Sequence, residues 1–148
     1  MSLAAIVLCA GNGTRMKSNL PKVLHEIGSF PLIHHVMTTT CKLDVSKTIV
    51  VVGHQAEEVS KAAISFDENV VIVEQKEQLG TGHAVREAVP ELLEHTGNVI
   101  ILYGDVPFIS SSTIKKMIEK KNIGSDIVIA GFKAQHPGEY GRIVLENQ

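Results

Sequence analysis

The chain has 148 residues, with 14 Lys and Arg set against 16 Asp and Glu for a net charge of −2, and the two signs are interspersed. That length supports one domain with a real core, and the charge pattern excludes the basic stripe of a nucleic-acid binder and the polybasic helix of a lipid-surface binder. No apolar run approaches the roughly 20 residues of a membrane span, so the expected partner is a small molecule, with no nucleic acid and no membrane. Cys9 and Cys41 have neither metal-ligand spacing nor the look of a secreted disulfide framework, which fits a reducing cytoplasm.

The first predicted element is a buried strand, Ala4 to Cys9, without the positive flank or cleavage site of a signal peptide. It runs directly into Ala10-Gly11-Asn12-Gly13-Thr14-Arg15-Met16. A Gly-x-Gly turn at a strand end lets backbone N–H groups converge on an anion, since neither glycine carries a Cβ and both accept positive φ. Arg15 adds a planar donor fork for phosphate oxygens, and Lys22, set behind Pro21, adds a second positive charge. Gly-x-Gly alone closes many ordinary turns. Met16 stands where the dinucleotide fingerprint needs its third glycine, and no Gly-Lys-Ser/Thr follows, so two common nucleotide motifs are excluded.

The apolar spacing of Leu32, Ile33, Val36, Met37 and Cys41 predicts a helix over Pro31 to Leu43. Lys47 to Val52 is a Val/Ile-rich strand ended by Gly53, the composition of a parallel strand covered on both faces. A helix over Ala56 to Ser65 and a strand over Val70 to Glu74 follow, leading to Gln75 and the loop Gln78-Leu79-Gly80-Thr81-Gly82. The next helix carries Ala84, Val85, Ala88 and Val89 and stops or kinks at Pro90. Asn98 to Tyr103 is a fourth strand closing on Gly104-Asp105-Val106-Pro107, and Ser110 to Lys121 is a helix with serines available as its cap. Asp126 to Phe132 reads as a fifth strand and Arg142 to Leu145 as a further one. Strands alternating with helices imply a doubly wound, Rossmann-like α/β fold, a mostly parallel sheet with helices on both faces.

In such a sheet the ligand sits beyond the carboxyl ends of the strands, where strand order reverses. The loops at Gly11 to Arg15, Gln75 to Thr81 and Gly104-Asp105 are therefore expected to share one crevice. Asp105, between Gly104 and the rigid Val106-Pro107, is placed to hold Mg²⁺, which takes one or two carboxylates plus phosphate oxygens and water. The bland alternative is a turn aspartate. Gln75 is either a polar loop residue or an amide able to pair with both a carbonyl and an N–H of a pyrimidine. The seven histidines show no ligand spacing, and neither Gly-x-Ser-x-Gly nor a cysteine in a cationic setting offers a nucleophile.

Taken together, Leu8-Cys9-Ala10-Gly11-Asn12-Gly13-Thr14-Arg15-Met16, Pro21-Lys22-Val23-Leu24-His25, Glu77-Gln78-Leu79-Gly80-Thr81-Gly82-His83-Ala84, Tyr103-Gly104-Asp105-Val106-Pro107 and Tyr140-Gly141-Arg142-Ile143 resemble sugar-nucleotide pyrophosphorylases. The resemblance is to the uridylyltransferase half of the bacterial bifunctional UDP-N-acetylglucosamine pyrophosphorylase and glucosamine-1-phosphate acetyltransferases, and it spans nearly the whole chain. It implies a nucleotide-diphospho-sugar transferase fold and synthesis of UDP-N-acetylglucosamine and pyrophosphate from UTP and N-acetylglucosamine 1-phosphate, a step toward cell-wall precursors. By the same resemblance Leu8, Cys9, Ala10, Gly11, Gly13, Thr14, Gln75, Gly80 and Thr81 would hold the uridine nucleotide, with Gln75 and Gly80 at the uracil. Arg15 and Lys22 would hold phosphates as the catalytic cations, Tyr103, Gly104 and Gly141 would border the sugar, and Asp105 would bind Mg²⁺.

Members of that family continue through further sugar contacts, a second metal ligand and a left-handed β-helix that carries acetyl transfer. The hexapeptide period of such a helix is absent from residues 1–148. These residues are expected to be the N-terminal part of the nucleotidyltransferase domain, with the acetyltransferase missing and oligomerisation a property of the longer protein. Two rival readings stand beside the enzyme: a truncated uridine-nucleotide-binding module without turnover, and a nucleotidyltransferase of the same fold that takes GTP or CTP.

Overall fold

The computed structural model describes residues 2–11, 13, 16–136, 138 and 140–144. At its centre β1 (Ser2–Leu8), β4 (Lys47–Val52), β5 (Val71–Glu74) and β6 (Gly97–Tyr103) form a four-stranded parallel sheet in the order β5-β4-β1-β6. A small antiparallel hairpin, β2 (Glu26–Ile27) with β3 (Phe30–Pro31), lies outside it. Four helices complete the fold: α1 (Leu32–Cys41), α2 (Ala56–Phe66), α3 (Thr81–Ala88) and α4 (Ser111–Asn122). Among the described residues no helix is long and apolar enough to cross a membrane.

The alternation of side chains along each strand assigns the two faces. Ala5, Val7, Cys9, Val50, Val52, Ile100 and Leu102 pack against Ile33, Val36 and Met37 of α1, Val59 and Ala63 of α2 and Ile114 of α4. Ile6, Leu8, Ala10, Ile49 and Val51 face the other way, onto Ala84 and Ala88 of α3. Helices therefore cover both faces, as the alternation of elements implies. Strands β1 and β4 are apolar almost throughout because both of their faces are enclosed. Strand β6 is not enclosed in this way: Ile100 and Leu102 are buried, whereas Val99, Ile101 and Tyr103 on its other face are exposed.

Local chemistry accounts for the element ends. The Ser110 hydroxyl accepts from the Thr113 backbone N–H at 3.1 Å and caps α4. Helix α3 gives way at Val89 to a 3₁₀ turn that accommodates Pro90. The hairpin has no counterpart among the predicted elements because its strands are two residues each, although Gly28 and Ser29, both at positive φ, form the kind of two-residue turn that joins such strands.

Two predicted strands are not found. Residues 126–132 and 142–144 are irregular, and Leu145 lies outside the described residues. A short apolar, β-branched run becomes a strand when a sheet edge accepts its hydrogen bonds and a core accepts its side chains. Here Ile127, Ile129, Phe132, Ile143 and Val144 are all exposed. The Phe132 ring meets the Tyr140 ring, just before the second segment, edge-to-face at 5.3 Å, but the two segments form no ladder.

Ile49, fully buried between β1, β5 and α3, tests this architecture. Ile49→Ala should lower unfolding free energy by about 2–5 kcal/mol, seen in urea as an earlier midpoint at unchanged slope. A loss below ~1 kcal/mol would show that β4 is not enclosed on both faces.

Candidate nucleotide site

Register places the strand ends side by side. Leu8 pairs with Val51 and with Tyr103, and Val52 pairs with Glu74, so β1, β4, β5 and β6 finish along one rim. The chain runs from β1 outward through β4 and β5, then returns to β6 on the opposite side of β1. That reversal opens a crevice. A cleft of about 610 Å³ occupies it.

The floor of the cleft is the exit of β1, formed by Leu8, Cys9, Ala10, Gly11 and Gly13. Gly13 has φ +55°, as an anion-binding turn allows, whereas Gly11 lies outside the left-handed region. A Cβ built at Gly11 would stand in open space. The chain leaving β1 is pressed between two neighbours. A Cβ on Gly104 would come 2.4 Å from Cys9 Sγ, and one on Gly53 would come 2.9 Å from both Ala10 Cβ and Ala10 O. In the sequence Gly53 signals only the end of a strand. Gln55, in the left-handed region at φ +52°, donates from Nε2 to Asn19 O at 2.9 Å and ties the loop after β4 to the stretch that leads into Lys22.

Lys22 and Asp105 meet across the cleft, with Nζ donating to Oδ2 at 2.5 Å. Lys22 opens a single 3₁₀ turn, Lys22–Leu24, whose middle residue Val23 is buried in the main core, so the lysine is anchored through its neighbour. Asp105 follows Gly104, whose N–H donates to Leu8 O at 2.9 Å. The side chains are 41% and 29% exposed, which makes the pair worth about 0–1 kcal/mol to stability. Burial pushes the Cys9 thiol far above its ordinary range, and the Asp105 charge adds to the shift. Cys9 is therefore a neutral wall of the cleft.

The opposite wall is Gln75, Gln78, Gly80, Thr81 and Ala84. Gln75 is 4% exposed, with its N–H donating to Val52 O at 2.8 Å and its Nε2 donating to Gly80 O at 3.1 Å. Nε2 also lies 3.0 Å from His83 Nδ1. Spacing gives His83 no distinction among the scattered histidines; its one signal in the sequence is its place in the first turn after Gly80. Gly80 sits at φ +98°, ψ −179°, a conformation essentially confined to glycine.

Of the residues singled out from the sequence, Leu8, Cys9, Ala10, Gly11, Gly13, Lys22, Gln75, Gly80, Thr81, Tyr103 and Asp105 line the same cleft. Gly104 lies against its floor, and Gly141 is not brought to it. Thr14 and Arg15 fall outside the described residues. No three His, Cys, Asp or Glu side chains cluster as a ready metal cage among the described residues. Asp105 fits a single carboxylate ligand of the kind Mg²⁺ uses when phosphate and water complete its shell.

A parallel sheet with a glycine-floored crevice at its switch point defines a nucleotide-binding α/β domain. Comparison with family models narrows that class: residues 5–146 match the MobA-like NTP transferase domain, and the chain belongs to that family. It is 48% identical over 147 residues to the bifunctional protein GlmU of Cereibacter sphaeroides, covering 99% of this chain and 32% of that protein. It is 46% identical over 148 residues to the bifunctional protein GlmU of a Ruegeria species, covering all of this chain and 33% of the relative. The chain thus spans about a third of the length of these relatives. Among solved structures, Rv0371c from Mycobacterium tuberculosis superposes with a TM-score of 0.69 at 19% identity over 82% of this chain and 61% of that one, a likeness of fold.

Two measurements probe this geometry. Gly80→Ala should cost about 1–3 kcal/mol of stability through backbone strain alone, since a Cβ there meets nothing within 4 Å; a neutral result in thermal unfolding would remove the strain argument. Alkylation of the native chain should label exposed Cys41 and spare Cys9 up to alkaline pH, with mass spectrometry locating the label. Modification of native Cys9 near neutral pH would contradict its burial.

Proposed function

We propose that residues 1–148 are the nucleotide-binding part of a uridylyltransferase domain that forms UDP-N-acetylglucosamine and pyrophosphate from UTP and N-acetylglucosamine 1-phosphate in a bacterial cytoplasm. The observation that carries the reading is convergence: Gln75, the glycines Gly11 and Gly13, Lys22 and Asp105 come from four separate stretches of sequence and line one cleft. Membership of the NTP transferase family and the 48% identity to a bifunctional GlmU protein support it.

In this reading the phosphate oxygen of the sugar 1-phosphate attacks the α-phosphorus of UTP. The bond from that phosphorus to the bridging oxygen breaks, and pyrophosphate leaves. The nucleophile is already largely ionised near neutral pH, so no side chain need remove a proton. The chain's task is to position the reactants and neutralise charge. Gln75 and Gly80 orient the base, the loop N–H groups and Gly11's open side receive phosphate, and Lys22 and Arg15 bring positive charge. Asp105 would hold Mg²⁺, which supplies charge neutralisation on the phosphate oxygens when bound. The Lys22–Asp105 pair suits this task, because a metal-bound triphosphate offers each partner a replacement of opposite charge: phosphate for the lysine, cation for the carboxylate.

Titration calorimetry with UTP, with and without Mg²⁺, beside a pyrophosphate-release assay tests the proposal. Expected is Mg²⁺-sensitive UTP binding with little or no synthesis by these residues alone, since Gly141 is not at the cleft and sugar contacts are left to Tyr103. Absence of UTP binding would overturn it. Asp105→Asn should remove the Mg²⁺ dependence of UTP binding while changing stability by no more than ~1 kcal/mol; a loss as large as that of a core truncation would make Asp105 structural instead.

A further inference from the structure

The buried amide of Gln75 lines the cleft, and the two acceptors behind it, Gly80 O and His83 Nδ1, decide which atom points outward. Gln75 Nε2 lies 3.1 Å from Gly80 O and 3.0 Å from His83 Nδ1. A carbonyl oxygen can only accept, so the amide nitrogen, not the oxygen, must face Gly80. That nitrogen then donates to His83 Nδ1 as well, which requires His83 to carry its proton on Nε2. Nε2 is 3.1 Å from Glu87 Oε1, one helical turn on, and the carboxylate accepts that proton's hydrogen bond. His83 is 12% exposed and Glu87 37%, so the relay starts near solvent and ends at a buried amide. Among the described residues nothing donates to Gln75 Oε1, and Gln75 lines the cleft.

From this we infer that His83, held by Glu87, is a positioning residue for base selection: as the second acceptor on Nε2 beside Gly80 O, it holds Gln75 with an acceptor, Oε1, toward the base and so favours an imide base over cytosine. The inference rests on the cleft receiving a pyrimidine nucleotide, as proposed above. Uracil presents an N–H at N3, which an acceptor satisfies, whereas cytosine presents a lone pair there and leaves two acceptors opposed. A buried acceptor facing an acceptor carries the full cost of two unsatisfied groups. The selection thus resides in an orientation that neither Gln75 nor the base sets alone. The α3 helix supplies it, because residues 83 and 87 share one face and residue 80 caps the same helix.

The test has two independent arms. Long-range ¹H–¹⁵N spectra of the ligand-free chain should show His83 in the Nε2–H tautomer, and Glu87→Ala, a change at a partly exposed position, should shift it toward Nδ1–H. A wild-type Nδ1–H tautomer would overturn the relay. Equilibrium binding of UTP and CTP with Mg²⁺ should show that His83→Ala and His83→Lys lower the UTP-over-CTP preference about tenfold or more, while affinity for inorganic pyrophosphate stays the same. Variants that keep the wild-type preference, or that weaken UTP, CTP and pyrophosphate alike, would overturn the positioning role. If the unsubstituted chain binds neither nucleotide, the proposed function fails, and the tautomer spectrum still decides the relay.

Discussion

Strand β1 leaves the sheet through a gap with no room for two β-carbons. Gly53 follows β4 on one side and Gly104 follows β6 on the other, and the positions their Cβ atoms would take are filled by Ala10 and by the Cys9 sulfur. The exit can be narrow because Cys9 and Ala10 are small, and the neighbours can close on it because they are glycines. Closure holds Cys9 N–H on Val51 O at 2.8 Å and Gly104 N–H on Leu8 O at 2.9 Å, one residue past where the ladder would otherwise stop. The segment that follows therefore starts from a rigid point at the mouth of the sheet. Asp105, next to Gly104, inherits the same rigidity.

The electrostatics of the mouth follow from that placement. An isolated lysine or carboxylate at the edge of a buried strand end would lose hydration without compensation. Paired at 2.5 Å, Lys22 and Asp105 offset each other's charge in the cleft. Their partial exposure keeps the cost of separating them low. Both charges thus stay correctly placed yet easily reassigned, which suits the charged nucleotide proposed above. The nonpolar, neutral thiol of Cys9 beneath them adds no competing charge.

Much of this architecture is legible in the amino-acid sequence. Strand β4 reads as an unbroken apolar or β-branched run after Lys47 because both of its faces are buried, and α4 announces its start through Ser110. The strand-end positions of Gly11, Gln75 and Asp105 follow from the alternation of elements, since in a parallel sheet the loops that follow the strands share one rim. Features that depend on a distant neighbour are not legible in this way. Residues 126–132 have the β pattern of Ile127, Ile129 and Phe132 but form no ladder, and a pattern cannot state whether an edge will receive it. The relay through His83 is hidden for a similar reason: nothing in the spacing of a lone histidine shows that the residue facing it is a buried amide. Gly53 looks like ordinary punctuation after a strand, because its importance lies in Ala10, far away in sequence.

The register of the central strand has a bearing on how the protein is made. Ser2 pairs with Gly97 and Leu8 with Tyr103, so of the four described strands the earliest in sequence is completed by the latest. Strands β4 and β5 can add to β1 as they emerge from the ribosome, since each pairs with one already present. The opposite edge of β1 must wait, with Ala5 and Val7 covered on one side by α1 and α2 but unpaired along the backbone. Closing so long a loop is entropically costly and kinetically slow. Among the described strands the junction of β1 and β6 is therefore the last to form, and the cleft that Asp105 lines is not complete on a nascent chain until Asp105 has been translated.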